Sequence, residues 1–255
     1  MIFDTHCHYD DEVFNDDRDV LLSTLRDKGV ERIVNVGADM TSCRTALALA
    51  EQYDFVYCAL GVHPSEVEQL TEADMDFIVA NANHKKVVAI GEIGLDYHWP
   101  EPTPQIQQKW FRRQIALAKE VNLPIIYHSR EAAEDTMNII KETKAYECGG
   151  VIHCYSYSAE MAKEFVAMGY YIGVGGVVTF KNAKKLKRTV EEIPLERIVL
   201  ETDCPYMAPE PNRGSRNDSS QLVYVAEKIA ELKSISREEV IMQTTKNAEA
   251  LYHLM

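Results

Sequence analysis

The run VVAIGEIG at residues 87–94 is short, rich in β-branched side chains and apolar apart from one glutamate. A continuous apolar run of this length is typical of a strand whose two faces are both covered, as in a parallel sheet. Seven further runs of the same kind recur along the chain, separated by longer amphipathic stretches. They are IFDTHCH (2–8), RIVNVG (32–37), FVYCALG (55–61), PIIYHSR (124–130), GGVIHC (149–154), YYIGVGG (170–176) and RIVLETD (197–203).

The stretches between these runs have helical periodicity. One predicted helix follows Asp16 and places three apolar side chains on one face: Val20, Leu21 and Leu25. Another begins at Thr103-Pro104, an N-cap and first-turn signal, and carries Ile106, Trp110, Leu117 and Val121. Ser236 and Glu239 have the spacing of a capping box, which predicts a final helix within 236–254.

Eight strands that alternate with helices predict parallel pairing, because each crossover needs a helix to return the chain. The predicted fold class is α/β, a closed (β/α)8 TIM barrel that forms a single domain over residues 1–255. An open, doubly wound sheet is the alternative. The Pro-rich loops at 97–104 and 208–220 follow the fourth and eighth strands, so we expect both on the C-terminal rim, where this fold builds its sites.

The composition is that of an ordinary globular protein, with 46% hydrophobic and 26% charged residues, which excludes a disordered or low-complexity chain. Lysines and arginines number 27 against 40 aspartates and glutamates, a formal net charge of −13. This charge repels nucleic acid globally. A phosphate-bearing substrate therefore requires a local positive site or a metal.

The cysteines and the N-terminus bear on the compartment. The first residues, MIFDTHCHYDDEVF, lack the basic and apolar regions of a secretory signal, and no apolar run approaches the roughly 20 residues that span a bilayer. The six cysteines form no CxxC pair. We therefore expect a reduced, cytoplasmic protein with no membrane association.

Seven ionisable side chains lie inside the strand runs or just past their ends: His6, His8, His63, Glu92, His128, His153 and Asp203. His6 and His8 share one face of the first strand because strand side chains alternate. Converging imidazoles and carboxylates have too few donors among themselves, and a divalent cation supplies the missing positive charge. An HxH motif alone is weak evidence for a metal site, but the whole set of seven side chains is hard to explain as core packing.

Nitrogen and carboxylate ligands suit Zn, Mn, Ni, Co or Fe, and Mg less readily. Several imidazoles together with two carboxylates predict two divalent cations about 3.5–4 Å apart, bridged by a carboxylate. Asp4 lies two residues before His6, and Glu201 lies two residues before Asp203. Each is therefore expected on the same face of its strand as that ligand, but deeper in the barrel. They are predicted either to orient the ligands or to serve only as interior polar groups of the fold.

Three cysteines adjoin proposed ligands: Cys7, Cys154 and Cys204. Adjacent strand residues face opposite sides, so their sulfur atoms are predicted to face the surrounding helices and not the metal site.

The chain resembles the TatD-like metal-dependent deoxyribonucleases of the amidohydrolase superfamily. The resemblance rests on segments that run in order through nearly the whole chain: DTHCH (4–8), GVHP (61–64), GEIGLDY (91–97), HSRE (128–131), HCYS (153–156), GGVVTFKNAKKL (175–186) and ETDCPYMAPEPNRGSRN (201–217). Two residues depart from the family pattern. Tyr157 replaces the usual glycine, and Ser219 lies where a proline is usual, which puts the shape of the rim loops in doubt.

The resemblance implies a TIM barrel and metal-dependent phosphodiester hydrolysis, with DNA as the best-known substrate. It implies that His6 and His8 bind one ion, that His128 and His153 bind the other, and that Glu92 bridges them. It also implies that Asp203 is a ligand that takes the proton from the attacking water. The motifs that line the family's substrate cleft contain His63, Asp96, Tyr97 and Arg130.

Physical reasoning gives compatible roles. His63 ends a strand on the rim, where it can donate to a phosphate oxygen or protonate the leaving oxygen, and Arg130 is placed for a bidentate phosphate contact. Cations after the seventh and eighth strands supply local positive charge for a nucleic acid substrate: Lys181, Lys184, Lys185, Lys187, Arg188, Arg213 and Arg216. For Lys187 and Arg188 a solvated helix face is the preferred interpretation.

The predicted function is thus a metal-dependent exonuclease that acts on DNA ends, frayed or single-stranded, with no obligate protein partner. One alternative is a binuclear-metal amide or ester hydrolase, such as an aminoacyl-tRNA deacylase. An alternative of another class is a non-catalytic metal-binding protein.

Overall fold

The computed structural model of the protein describes residues 1–254 and contains one parallel eight-stranded sheet. Neighbouring strands follow chain order from the first to the eighth. The strands are Ile2–Cys7 (β1), Val30–Val36 (β2), Val56–Leu60 (β3), Val87–Asp96 (β4), Ile125–Arg130 (β5), Gly150–Ile152 (β6), Tyr171–Val174 (β7) and Ile198–Leu200 (β8). Each of them falls on one of the predicted runs.

Helices follow the strands along the chain. Those of the described residues are Arg18–Thr24 (α1), Met40–Gln52 (α2), Glu72–Asn81 (α3), Pro104–Val121 (α4), Ala133–Thr143 (α5), Ala159–Ala167 (α6), Lys184–Glu192 (α7), Leu222–Lys233 (α8) and Arg237–Leu251 (α9). Within residues 1–254, none of these helices has the length and apolarity that crossing a membrane requires.

The first and last strands adjoin one another, which decides between a barrel and an open sheet. Just past β8, the backbone N–H groups of Thr202 and Asp203 both donate to the carbonyl of His6. The N–H of His8 donates in turn to the carbonyl of Cys204. The fold is therefore the predicted (β/α)8 barrel, and the open-sheet alternative is wrong.

Contacts divide the chain into two compact units. The first unit contains Met1–Asn35 and the chain from Cys154 onward, and thus β1, β7 and β8 with their helices. The second unit, Val36–His153, contains β3 to β6. The single-domain organisation of the whole chain stays a prediction.

The predicted helix starts are confirmed, with one error in a predicted face. α4 begins at Pro104 although the Thr103 side chain makes no capping hydrogen bond, and Ser236 forms the predicted capping box at α9. In α1, Val20 is 68% exposed, whereas Leu21, Leu22 and Leu25 are buried. The buried face of this short helix consists of Leu21, Leu22 and Leu25, which have the spacing i, i+1 and i+4. Val20 therefore faces solvent.

Candidate metal centre

Three predicted ligands of the first unit meet at the carboxyl ends of β1 and β8. The Nε2 atoms of His6 and His8 lie 3.1 Å apart. The Oδ1 atom of Asp203 lies 3.7 Å from Nε2 of His6 and 3.4 Å from Nε2 of His8. His6 is 1% exposed, whereas Asp203 is 18% exposed, so the carboxylate is the member of this cluster most open to water.

The spacing of these donors fits a shared cation. Atoms that bind one zinc-sized ion at about 2.0–2.2 Å lie roughly 3–3.6 Å from one another in octahedral or tetrahedral geometry. The three measured separations fall in or next to this range, and two imidazoles with one carboxylate are a donor set that transition-metal ions prefer. His6, His8 and Asp203 can therefore hold a divalent metal.

The backbone is strained where side chains enter the rim. Asp203 has a φ of 57°, and Cys154 and Glu131, which come just after β6 and β5, have φ of 44° and 54°. Non-glycine residues adopt this left-handed region at a free-energy cost of order 1–3 kcal/mol, and such residues cluster at functional sites. The strain supports a functional role for the carboxyl ends of these strands.

Asp4 lies beneath this cluster and holds the backbone that carries the ligands. Its Oδ1 accepts from the N–H groups of His6 at 3.3 Å and Thr202 at 3.0 Å. Its Oδ2 accepts from the hydroxyls of Thr202 and Ser219, both at 2.6 Å. Complete burial raises the pKa of Asp4 to about 7, although these hydrogen bonds oppose the shift. Of the two predicted roles, the contacts match the orienting one, exerted on the backbone of His6 and not on its ring.

Ser219 joins Asp4 to the loop that follows β8. Its N–H donates to the hydroxyl oxygen of Tyr9, whose hydroxyl donates to Ser219 Oγ, both at 2.9 Å, and Ser219 Oγ donates to Asp4. A proline, which the family pattern has at this place, has neither group to donate. The sequence pattern did not reveal this buried triad, because serine and tyrosine in loops are ordinary surface residues.

We expect Ser219→Ala to lower the free energy of unfolding by about 2 kcal/mol, since a buried carboxylate loses one of its charge-assisted hydrogen bonds. Urea unfolding monitored by circular dichroism measures the change. Ser220→Ala is the matched control, because the Ser220 hydroxyl makes no hydrogen bond within residues 1–254, and it should change the free energy by less than about 0.5 kcal/mol. Equal effects of the two variants would contradict the role assigned to Ser219.

Glu201, the second deep carboxylate, is also buried. Its Oε1 accepts from the N–H of Cys154 at 2.6 Å, a contact that fixes the turn after β6. The absence of a side chain at Gly173 makes room for this carboxylate, because a Cβ atom there would lie 2.2 Å from Glu201 Oε2. Glu201 thus acts on backbone, as Asp4 does.

The second unit brings together the other predicted ligands around Glu92. The Oε1 atom of Glu92 lies 2.6 Å from Nδ1 of His128, 3.7 Å from Nε2 of His153 and 4.0 Å from Nε2 of His63. Glu92 is 5% exposed, so its negative charge requires a partner. Among them, His63, Glu92 and His128 each offer a ligand atom within 4.8 Å of the others and can hold a divalent metal.

His128 bridges two carboxylates. Its Nδ1 contacts Glu92 and its Nε2 lies 3.0 Å from Oδ2 of Asp96. Carboxylates only accept hydrogen bonds, so without a metal ion both contacts can be hydrogen bonds only if the ring is protonated. Although burial lowers its pKa, the charge of Glu92 and the hydrogen bonds to both carboxylates outweigh that effect and raise the pKa to about 9. A divalent cation would take the place of a proton here. Asp96 is a buried partner of His128, and its predicted place in the substrate cleft stays a prediction.

His63 is anchored to Ser65 through Nδ1. The N–H of Ser65 donates to His63 Nδ1 at 3.1 Å, and Nδ1 also lies 2.8 Å from the Ser65 hydroxyl oxygen, whose hydroxyl donates to Glu66. These contacts leave Nε2 facing Glu92, 4.0 Å from its Oε1. Nε2 can serve either as a hydrogen-bond donor to substrate or as a metal ligand together with Glu92 and His128.

Two buried glutamines of α4 position the neighbouring strand ends, and the sequence analysis missed them. The Gln107 amide accepts from the N–H of Asp96 and donates to its carbonyl, each at 2.8 Å. The Gln114 amide accepts from the N–H of Val62 at 2.8 Å and donates to its carbonyl at 3.0 Å. Gln107 and Gln114 are seven residues apart on the apolar side of an amphipathic helix, and this spacing could have identified them as buried residues.

The two remaining residues predicted to line the substrate cleft, Tyr97 and Arg130, lie at the carboxyl ends of β4 and β5. The Tyr97 hydroxyl donates to Asp135 at 2.7 Å and accepts from Gln108, and burial raises its pKa to about 12. Arg130 is exposed and forms no ion pair within residues 1–254, so its guanidinium is available to an anion.

The three cysteines next to proposed ligands differ in their surroundings. Cys7 and Cys204 are buried, and the Cys7 sulfur contacts the Val34 carbonyl of β2. For Cys154 the prediction is wrong, because its sulfur lies 3.9 Å from the Met207 sulfur in the loop after β8. Cys154 lies outside the strand, and its left-handed backbone breaks the alternation on which the prediction rested.

Comparison with known proteins agrees with this geometry. Residues 3–253 match the family model described as TatD related DNase. The chain is 49% identical over 254 residues to the "Uncharacterized metal-dependent hydrolase YabD" of Bacillus subtilis, with 100% of both chains covered. It is 36% identical to "Uncharacterized metal-dependent hydrolase YcfH" of Escherichia coli, covering 100% of this chain and 96% of the relative. The crystal structure of YjjV, a TatD homolog from Escherichia coli, superposes with a TM-score of 0.93 at 33% identity over 99% and 98% of the two chains.

Proposed function

We propose that this chain, which belongs to the TatD-related DNase family of metal-dependent hydrolases, hydrolyses phosphodiester bonds at the ends of DNA strands. The observation that carries the proposal is the triangle of His6, His8 and Asp203, whose donor spacing suits a divalent cation and whose carboxylate is open to water. The group around Glu92 would hold a second cation through His128 and His153.

The cations, when bound, supply positive charge that polarises water and offsets the charge on the phosphate oxygens. Asp203 holds the attacking water and accepts its proton, since it is the exposed carboxylate of its cluster. His63 donates from Nε2 to a phosphate oxygen or to the leaving oxygen. Arg130 pairs with a non-bridging phosphate oxygen. We further propose that DNA is the partner and that the protein works in the cytoplasm, a compartment that suits its six free cysteines.

The test is metal removal and replacement. After dialysis against a chelator, the protein is expected to lose cleavage of a labelled single-stranded oligonucleotide, and Mn, Mg, Zn, Co or Ni added singly should restore it. Strands labelled at the 5′ or the 3′ end report the end from which cleavage proceeds. Since the cations offset charge in the transition state, we expect a loss of at least about 10³-fold.

The same preparations are offered ester, amide and aminoacyl-tRNA substrates. Turnover of one of these without cleavage of any nucleic acid would replace the phosphodiesterase proposal with the acyl-hydrolase alternative. Metal binding without turnover of any substrate would leave the non-catalytic alternative.

A further inference from the structure

The loops that follow β7 and β8 pack against each other within the first unit. The Thr179 hydroxyl oxygen accepts from the N–H of Glu210 at 2.8 Å, and the Arg213 guanidinium lies 4.2 Å from the centre of the Phe180 ring. Gly176 permits this approach, because a Cβ atom there would lie 2.0 Å from the Met207 carbonyl. Residues from the loop after β7 and from the loop after β8, which includes Asp203, therefore pack into one surface.

Four cations of this surface form no ion pair with any residue in 1–254. We call them the basic rim surface: Lys181, Lys184, Lys185 and Arg213. All four side chains are exposed, and Glu210 is an exposed acid on the same loops. The other cations that the sequence suggested are already engaged. Arg216 pairs with Asp17, Arg188 pairs with Glu192 and Glu160, and the Lys187 ammonium donates to the Phe180 carbonyl.

The charge order of α7 is the reverse of what helix stability favours. The helix begins with Lys184 and Lys185 and ends with Glu191 and Glu192. Cations near a helix N-terminus and anions near its C-terminus each cost about 0.3–1 kcal/mol relative to the opposite arrangement. The start of α7 therefore lowers stability and concentrates positive charge near the proposed site, in a chain of net charge −13. Such a local cost in stability is expected where function requires it.

We infer that the basic rim surface binds the phosphate backbone of a single nucleic acid strand beyond the bond that is cut. Four cations without ion pairs, on two adjoining loops and on the first turn of α7, suit a row of phosphates better than a single anion. Tyr206 follows Asp203 on the same loop and is 56% exposed, with its hydroxyl donating to Asp11 at 2.9 Å, so its ring can stack on a base. This inference rests on the proposed function, because it names how the substrate of that site is held.

The experiment reverses the charges of Lys184 and Lys185 at the start of α7. Lys184→Glu/Lys185→Glu is expected to weaken binding of a fluorescent 12-nucleotide single strand by about tenfold, measured by anisotropy with phosphorothioate linkages that resist cleavage. The slope of log K against log salt should flatten by about 1.4, since each phosphate contact of a single strand contributes about 0.7. The melting temperature should stay equal or rise because the new charges suit the helix dipole, so unfolding is not the cause of the loss.

Lys28→Glu/Lys85→Glu is the matched control. These exposed lysines precede β2 and β4, at the amino ends of the strands, and their reversal changes the net charge equally. The control should bind the strand as the wild type does. Equal loss in both variants, unchanged binding in Lys184→Glu/Lys185→Glu, or a wild type that binds no strand would each overturn the inference.

A small phosphodiester, bis(p-nitrophenyl) phosphate, separates this inference from the proposed function. Its turnover should be the same in the wild type and in Lys184→Glu/Lys185→Glu, because it has no further phosphate to contact the surface. If the wild type cleaves no phosphodiester and yet loses strand binding on charge reversal, the proposed function fails and the binding surface stands.

Discussion

Asp203→Asn is expected to lower kcat on oligonucleotides by about 10³-fold at saturating divalent cation, while the fold and the metal content are kept. The amide retains an oxygen donor of the same size at the place where His6 and His8 converge. It cannot accept the proton of the attacking water, and loss of a general base costs about 10²–10⁴-fold. The comparison requires kcat, metal analysis by mass spectrometry and a circular dichroism spectrum of each protein.

The backbone supports the choice of asparagine. Asp203 has a left-handed φ of 57°, and asparagine is one of the few residues that adopt this region readily, whereas alanine would add strain. Glu210→Gln, a carboxylate-to-amide change in the same loop at an exposed position, should leave kcat within about twofold. An Asp203→Asn protein that keeps both its metal and its full kcat would show that another group accepts the proton.

The sequence predicted the fold, and it indicated the candidate ligands for the same physical reason. In a parallel barrel every strand is covered, so polar residues at strand ends such as His6, Glu92 and Asp203 stand out against apolar neighbours. The division of these residues into two groups was implied by the family resemblance. The close approach of the Nε2 atoms of His6 and His8 agrees with their spacing of two residues at the end of β1.

What the sequence did not reveal depends on contacts between distant segments. Asp4 could be assigned a supporting role, but its partners Thr202 and Ser219 lie about 200 residues away and have no distinguishing pattern. The anchoring of the His63 ring depends on its contacts with Ser65, which no periodicity encodes. The resemblance placed Asp96 in the substrate cleft but did not reveal that β4 continues through Asp96 and turns its carboxylate toward His128.

Gly94→Ala is expected to cost about 2–6 kcal/mol of the free energy of unfolding, the largest stability effect that we predict. Gly94 pairs with His128 in the register of β4 and β5, and a Cβ atom on Gly94 would lie 1.9 Å from the His128 carbonyl oxygen. Its φ of +151° adds strain for any L residue, about 1–3 kcal/mol, and overpacking of the strands adds about 1–3 kcal/mol. Domains are stable by only about 5–15 kcal/mol. We therefore expect the Gly94→Ala protein to unfold at a much lower urea concentration than the wild type, or not to be obtained as soluble protein.

Gly29→Ala distinguishes the two contributions to this cost. Gly29 also has a left-handed φ, +86°, but an added Cβ atom would meet no other atom within 4 Å, so only backbone strain of about 1–2 kcal/mol applies. If the two variants lose equal stability, β4 and β5 do not constrain each other at His128. If Gly94→Ala is much less stable than Gly29→Ala, the strand spacing is the constraint. The same spacing sets where the His128 ring lies relative to Glu92, so a Gly94→Ala protein that still folds should bind divalent metal more weakly than Gly29→Ala does.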